Sequence, residues 1–466
     1  MNEFQGKVAA VIGLARAGAP AAKFLAEKGA RVIGFDGKTR ENLSAEALEL
    51  ENRGVELVLG QHGFAGIEVC DLIVLSPGLK VHFEPLQSVI AAAEARGAEV
   101  IGELELASRF CPCPIIGVTG TKGKSTTTKL ITEMLRACGV DAIAAGNTGT
   151  PLIEILPDLG PESWAVVEVS SFQLEKAPTF RPKIAVLLSL LEDHQDYHPT
   201  LGQYWETKLK IFANQGEGDW AIYNFADELA NDNVRRYFSL DRHGVGVNVT
   251  RPHRQFFELD SFGYWSEDGF EVILHKEALP LRGQHNINNI KVALEVVSVV
   301  LGDAMDAELT INAIDAIRNF QTLPHRLEIV AQKDGITWVN DSQSTIPDAA
   351  IAALKSFPAP VTLLVGGRAK IEAEGYLGLM RAIRDQKARL ILYGEAAEML
   401  YGVALSLDME NLSIFREKTL ADAVRTAKIQ SSKGESILLS PACASFDQFT
   451  SYEHRGETFR QLVRDI

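Results

Sequence analysis

Ile115-Ile116-Gly117-Val118-Thr119-Gly120-Thr121-Lys122-Gly123-Lys124-Ser125 is the stretch on which the reading of this chain turns. Its first five residues read as a buried strand, Gly120 to Ser125 as a loop, and Ser125–Leu135 as an amphipathic helix. Glycines let the backbone curl until its N–H groups converge on an anion, and the helix N-terminus adds its dipole. Lys124 is spaced to reach the β- and γ-phosphates of a nucleotide, and Ser125 to offer its hydroxyl to Mg2+. The strict pattern G-x-x-x-x-G-K-[ST] fails by one position, since Val118 stands where its first glycine belongs. Strand, loop and helix still follow in the order an NTP site requires. The segment is read as one.

Outward from this loop, apolar strands alternate with amphipathic helices, the pattern of βαβ units on parallel sheets, so the fold class is α/β. Upstream, strands are expected at Val8–Ile12, Arg31–Phe35, Val55–Leu59 and Leu72–Leu75, with a helix from Pro20 to Lys28. Downstream come Trp164–Val169 and Ile184–Leu188, then short β-like pieces from Trp220 to Leu281 that read as an antiparallel extension. After Phe320 a third block carries strands at Thr337–Asn340, Val361–Val365, Leu390–Tyr393 and Ser436–Leu439. Three domains, 1–102, 103–322 and 323–466, suit a chain of 466 residues at about 150 per domain.

Hydrophobic residues at 46% and charged residues at 23% are ordinary for a soluble globular protein. A net charge of −15 argues against a general nucleic-acid or anionic-membrane binder, which needs a positive surface. Five scattered cysteines read as free thiols in a reducing compartment. Cys111-Pro112-Cys113, with one intervening residue and no second pair, is a poor zinc or redox signature. The first residues lack the order of a signal peptide, and no apolar run reaches membrane-spanning length, so a cytoplasmic protein is expected.

Further candidates fall at the ends of strands. Gly13-Leu14-Ala15-Arg16-Ala17-Gly18, with Asp36 closing the next strand, fits a nucleotide-diphosphate site in which Arg16 meets the phosphates, or plain βαβ packing. Ala15 stands where a dinucleotide fold wants glycine. Glu168 is either an Mg2+ carboxylate beside the loop or a helix-capping acid, and Glu192-Asp193-His194 either a metal cluster or a solvated loop. Asn286 and Asn289 serve a base, a ribose or a helix cap; Arg326 a phosphate or an ion pair. Asp341 and Lys370 complete the set.

The motifs carried by Thr119–Ser125, Glu168, Glu192-Asp193-His194, Gly283-Gln284-His285-Asn286 with Asn289, and His325-Arg326 resemble the Mur ligase family. These are ATP-dependent amide-forming enzymes of peptidoglycan precursor synthesis. Glu168–Glu175, Asn340-Asp341-Ser342 and Ser440–Phe449 point within the family to the members that join D-glutamate to UDP-N-acetylmuramoyl-L-alanine, and the likeness spans the whole chain. The resemblance implies a Rossmann-like domain for the UDP-linked substrate, a P-loop ATPase-like central domain, and a Rossmann-like domain that closes over the amino acid. It implies phosphorylation of the substrate carboxylate by ATP, then attack of the glutamate amine on the acyl phosphate.

Carried over by position, Gly120 to Thr126, Asn286, Asn289, Arg326 and Asp341 contact ATP. Ser125, Glu168, His194 and Lys208 serve two Mg2+ sites, with Lys208 matching a lysine that the family carries as a carbamate; Lys124, His194 and Lys208 are the catalytic set. Arg16, Asp36, Ser76, Asn147 and Ser170 fall on the UDP-linked substrate; Thr345, Lys370, Ser445 and Tyr452 fall on glutamate. A monomer is expected. This sequence departs from the family at Lys122, where Asn is usual, and Gln343, where Lys commonly follows Asp-Ser, which reads as a compensating exchange of cations. Arg368 stands where an acid is common, Tyr452 where Phe is, and Arg16-Ala17 where Leu-Thr is. Ligation with L-glutamate, a folylpolyglutamate synthase and a non-catalytic nucleotide-binding regulator are the competing readings.

Overall fold

Runs of apolar residues with no polar alternation, such as Leu72–Leu75 and Ile184–Leu187, are buried along their whole length, as strands covered on both faces must be. The computed structural model describes all residues except 1–2, 61–63, 65, 194–196, 225–226, 240–247, 251–255, 259–260, 267–268, 282 and 410–412. Two compact units result, one of Met1–Glu277 with Asn288–Arg318, the other of Ala278–Ile287 with Asn319–Ile466.

The first unit opens with a five-stranded parallel sheet of β1 (Val8–Ile12), β2 (Arg31–Asp36), β3 (Glu56–Leu59), β4 (Leu72–Leu75) and β5 (Glu99–Gly102). Its order is β3-β2-β1-β4-β5, so the chain reverses direction across the sheet between β1 and β4. Such a switch point opens a crevice at the carboxyl ends of the strands. The helix after β1 begins at Gly18, two residues before the expected Pro20, because proline is tolerated in a first turn whose N–H groups have no partner.

The second sheet holds β6 (Ile115–Thr119), β7 (Ala142–Gly146), β8 (Trp164–Glu168), β9 (Ile184–Leu187), β10 (Trp220–Tyr223) and β11 (Asn248–Thr250), in the order β11-β10-β9-β6-β8-β7, all parallel. The expected antiparallel texture over Trp220–Leu281 is therefore corrected. Its first two strands extend the parallel sheet, with a helix at Glu228–Ser239 between them. Among the described residues of this stretch, β12 (Phe257–Glu258), β13 (Ser261–Ser266) and β14 (Gly269–His275) pair antiparallel. Short strands of similar composition do not reveal their partners, since direction is set by the crossover between them.

One core runs through both parallel sheets of this unit. Leu104, Leu106 and Ala107, on the helix Glu103–Phe110 that joins them, share a cluster with Leu25 on one side and Leu152 and Val167 on the other. Truncating a fully buried leucine there to alanine costs about 2–5 kcal/mol.

The second unit carries β15 (Glu328–Lys333), β16 (Ile336–Asn340), β17 (Val361–Gly366), β18 (Arg389–Tyr393), β19 (Ile414–Glu417) and β20 (Ser436–Leu439), ordered β15-β16-β20-β17-β18-β19. All pairs are parallel except β15 with β16. The central strands β16, β20 and β17 thus deliver Asp341-Ser342, Ser440–Ser445 and Gly366–Lys370 to one sheet edge.

Candidate active site

The loop Gly120–Gly123 leaves β6 and turns into the helix Lys124–Ala137. The segment after β9 braces it: Thr121 N–H donates to the Ser189 carbonyl at 2.8 Å and Lys122 N–H to Ser189 Oγ at 3.0 Å. Leu191 N–H donates to Thr121 Oγ1 at 3.0 Å, and the Tyr204 hydroxyl donates to the same oxygen at 3.3 Å. The Lys124 ammonium folds over the loop, donating to the carbonyls of Gly120 at 3.0 Å and Thr121 at 3.1 Å. Gly123 sits at φ 89°, a left-handed backbone that favours glycine, and Asn289 Oδ1 lies 2.8 Å from where a Cβ would stand. Ser125 and Thr126 are buried in the first turn.

Lys208, on the helix Leu201–Leu209, is 1% exposed and donates to the Gly120 carbonyl at 2.9 Å. Its ammonium lies 4.6 Å from the centre of the Tyr204 ring, one turn earlier on the same helix. Burial, and then the positive charge of Lys124, hold its pKa well below the usual lysine value of 10.5. Glu168, at the end of β8, is buried and accepts from Asn147 Nδ2 at 3.0 Å and Thr148 Oγ1 at 2.9 Å. Gly146, at φ 116°, permits that approach, since a Cβ would fall 2.2 Å from the Glu168 carbonyl oxygen. The Lys122 ammonium stands 3.4 Å from Asp193. His194 lies outside the described residues. Among the described residues no group of three His, Cys, Asp or Glu side chains assembles as a metal cage.

The turn after β1 is held from β2 and β4. Asp36 accepts from the N–H groups of Leu14 at 2.8 Å and Lys38 at 2.9 Å, and Ser76 Oγ donates to the Gly13 carbonyl at 2.7 Å. The Arg16 guanidinium reaches the Asn147 carbonyl, joining two residues expected on the same substrate. Ser170 begins a helix in a capping box with Gln173. Ser76, Glu103, Phe172, Gln173 and Tyr197 line a small recess nearby.

Burial pushes Glu103 up to about 7, against a hydrogen bond from Ile153 N–H. A carboxyl raised from 4.5 in the unfolded chain binds more protons when folded, so stability falls as pH rises through that window. Glu103→Gln is expected to raise stability by up to about 3 kcal/mol at pH 8 and little at pH 5. Urea unfolding at the two pH values checks this, and equal shifts at both would refute it.

In the second unit Asp341 is buried, accepts from Ser440 Oγ at 2.7 Å and Leu327 N–H at 3.2 Å, and is pushed up to about 7 by burial. The Lys370 ammonium donates to Thr345 Oγ1 at 3.0 Å. Ser445 is buried in the loop after β20, and Asn286 in the first turn of Gln284–Leu301. Gln343 bridges two expected contacts: its Oε1 accepts from Arg326 Nε, and its Nε2 donates to the Tyr452 hydroxyl at 3.4 Å. Lys122 stands on Asp193, and Gln343 on Arg326 and Tyr452. A cycle of Gln343→Leu and Tyr452→Phe on kcat/KM for the amino acid is expected to show coupling of about 1 kcal/mol, and additive losses would remove the bridge.

Some residues had no signal in the sequence. Arg455, fully buried, donates to Ser342 Oγ at 3.0 Å and to the carbonyls of Ser342 at 2.9 Å and Cys443 at 3.1 Å, tying the loops after β16 and β20 together. Tyr204, four residues before Lys208, was discoverable only once Lys208 was known to be buried.

The Mur ligase middle-domain model matches residues 118–297, and the Mur ligase MurD-like N-terminal-domain model matches 7–102. The UDP-N-acetylmuramoylalanine–D-glutamate ligase of Pelotomaculum thermopropionicum is 39% identical over 475 residues, covering 100% of this chain and 99% of its own. The chain belongs to the Mur ligase family. A second full-length family member, the enzyme of the same name from Geotalea uraniireducens, is 38% identical, with 100% and 98% covered. Among solved Mur ligases, MurF from Acinetobacter baumannii matches at TM-score 0.59 and 16% identity, covering 84% of this chain and 91% of its own. MurF from Thermotoga maritima, solved with ADP, matches at 0.57 and 18%, with 85% and 96% covered. At these identities the structures show a shared fold.

Proposed function

We infer that this chain is an ATP-dependent ligase that joins D-glutamate to UDP-N-acetylmuramoyl-L-alanine in peptidoglycan precursor synthesis. The observation that carries the reading is its full-length identity to the D-glutamate ligases. The loop from Gly120 to Thr126, with Lys124 and Lys208 converging on the Gly120 carbonyl, supports it.

The substrate carboxylate attacks the γ-phosphorus, the bond to the ADP oxygen breaks, and an acyl phosphate forms. The glutamate amine, as the free base, then attacks the acyl carbon and gives up a proton to solvent, and the tetrahedral intermediate expels phosphate. Loop N–H groups and Lys124 bind the β- and γ-phosphates and meet the charge that develops there. Asn286, Asn289, Arg326 and Asp341 hold the rest of the nucleotide; Arg16, Asp36, Ser76, Asn147 and Ser170 hold the UDP-linked substrate. Thr345, Lys370, Ser445 and Tyr452 take the amino acid.

Glu168 and Ser125 are both buried, and a carboxylate with a hydroxyl suits a hard cation completed by phosphate oxygens and water. Ser125, Glu168, His194 and Lys208 are the residues that would hold Mg2+, which when bound neutralises charge on the transferring phosphoryl group. Lys208 fits its assignment as a carbamate, because a buried amine held neutral adds to CO2 with loss of one proton and becomes an anionic oxygen donor.

The domains are 1–102, chiefly for the UDP-linked substrate, 103–322, chiefly for ATP, and 323–466, chiefly for the amino acid. No helix of the described residues is long and apolar enough to cross a membrane, and the need for ATP as co-substrate supports a cytoplasmic reaction. The chain works as a monomer; sedimentation as a single chain checks this.

Phosphate release from ATP with UDP-N-acetylmuramoyl-L-alanine, comparing D-glutamate, L-glutamate and no amino acid, tests the function. Turnover with the D isomer alone is expected. Turnover with L-glutamate alone would move the specificity, and no turnover with either would overturn the reading.

A further inference from the structure

Cys111-Pro112-Cys113 links the helix Glu103–Phe110 to β6, at the end of that strand opposite the phosphate loop. The spacing alone was a poor redox signature, yet the fold sets the two sulfurs 3.7 Å apart, within about 1.7 Å of disulfide bonding distance. The two thiols differ in surroundings. Cys113 is buried, whereas Cys111 keeps access to solvent.

We propose that Cys111 and Cys113 form a redox-active dithiol, which a low-molecular-weight disulfide oxidises to an intrachain disulfide. Cys111 is the attacking thiol. The hydrogen bond it shares with Cys113 holds its pKa below the usual cysteine value despite its partial burial, which favours the thiolate. Burial pushes Cys70 and Cys443 up to about 11 and raises Cys138 as well, which leaves those three as poor nucleophiles.

The exchange balances without any other oxidant. The Cys111 thiolate attacks one sulfur of RSSR, that S–S bond breaks, and RS⁻ leaves and takes up a proton. Cys113 then attacks Cys111 Sγ and loses its proton, the Cys111–Cys113 bond forms, and the second RS⁻ departs. The sum is one protein dithiol plus RSSR giving one protein disulfide plus two RSH. Since β6 is five residues long, at about 3.3 Å per residue the pair sits roughly 16 Å from the loop. Ligation does not require either thiol.

Oxidised glutathione added to the reduced full-length chain, followed by intact-mass and peptide mapping, tests the proposal. The wild type is expected to lose two hydrogens, at Cys111 and Cys113, and regain them with dithiothreitol. Cys113→Ser is expected to stop at one added glutathione on Cys111, and Cys111→Ser to react more than tenfold more slowly. Thermal melting and ATP turnover of both variants, expected to equal wild type, show that each is folded. Oxidation of Cys111→Ser at the wild-type rate, or a wild type that stops at the mixed disulfide, would overturn the proposal. These masses report on the thiols whichever glutamate isomer the ligation uses.

Discussion

Lys124→Ala is expected to lower kcat for ATP-dependent ligation by about 10²–10³-fold, some 3–4 kcal/mol of transition-state stabilisation. Its ammonium is the charge that the fold lays over the phosphate loop, held by the Gly120 and Thr121 carbonyls. Phosphoryl transfer leaves little covalent work to a protein, so positioning and charge supply most of the acceleration. Those two carbonyls sit on a loop also braced by Ser189 and Leu191, so the variant is expected to fold with an unchanged melting temperature. Steady-state phosphate release with ATP varied separates kcat from KM. Activity within tenfold of wild type would remove Lys124 from the chemistry. Lys124→Arg, which keeps the charge, is expected to lose less.

Lys208→Met is expected to abolish turnover to a similar degree while making the protein more stable near pH 7. The two effects have one cause. Desolvation and the neighbouring Lys124 oppose the ammonium form, so Lys208 binds its proton more weakly in the folded chain than in the unfolded one. The unfolded state therefore carries more protons, and stability rises with pH until the unfolded value near 10.5 is passed. Methionine fills a similar volume, has no proton to lose, and so removes both the cost and that pH dependence. Urea unfolding from pH 6 to pH 10 checks the stability arm. Protein equilibrated with ¹³C-bicarbonate checks the assignment, with a carbamate resonance expected in wild type and absent from Lys208→Met. A Lys208→Met enzyme turning over at the wild-type rate would refute the role, and an unchanged stability profile would refute the burial argument.

Part of the site was legible because local chemistry dictates it. The phosphate loop needs glycines, a lysine and a hydroxyl in fixed succession, and that succession survives in the sequence even with Val118 in the first glycine position. Glu168 was legible from its place after an apolar run, which a parallel sheet sends to a carboxyl edge. Lys208 was not. By pattern it is one more helical lysine, and only the packing of that helix against the phosphate loop takes its amine out of water. The Gln343 bridge and Arg455 likewise depend on contacts between positions far apart in the chain.

The α/β class, the strand runs that became β1, β4, β6 and β20, and the phosphate loop were determined by the sequence itself, because each rests on residues within one turn or one strand. Tertiary structure decided what nearby residues could not. It set the parallel pairing of β10 and β11, and the core cluster shared by the first two sheets. It put Lys122 against Asp193 and Gln343 against Tyr452, and brought Cys111 beside Cys113. Strand direction, burial of a charge and the distance between two side chains are properties of the assembled surroundings, and no local window of residues contains them.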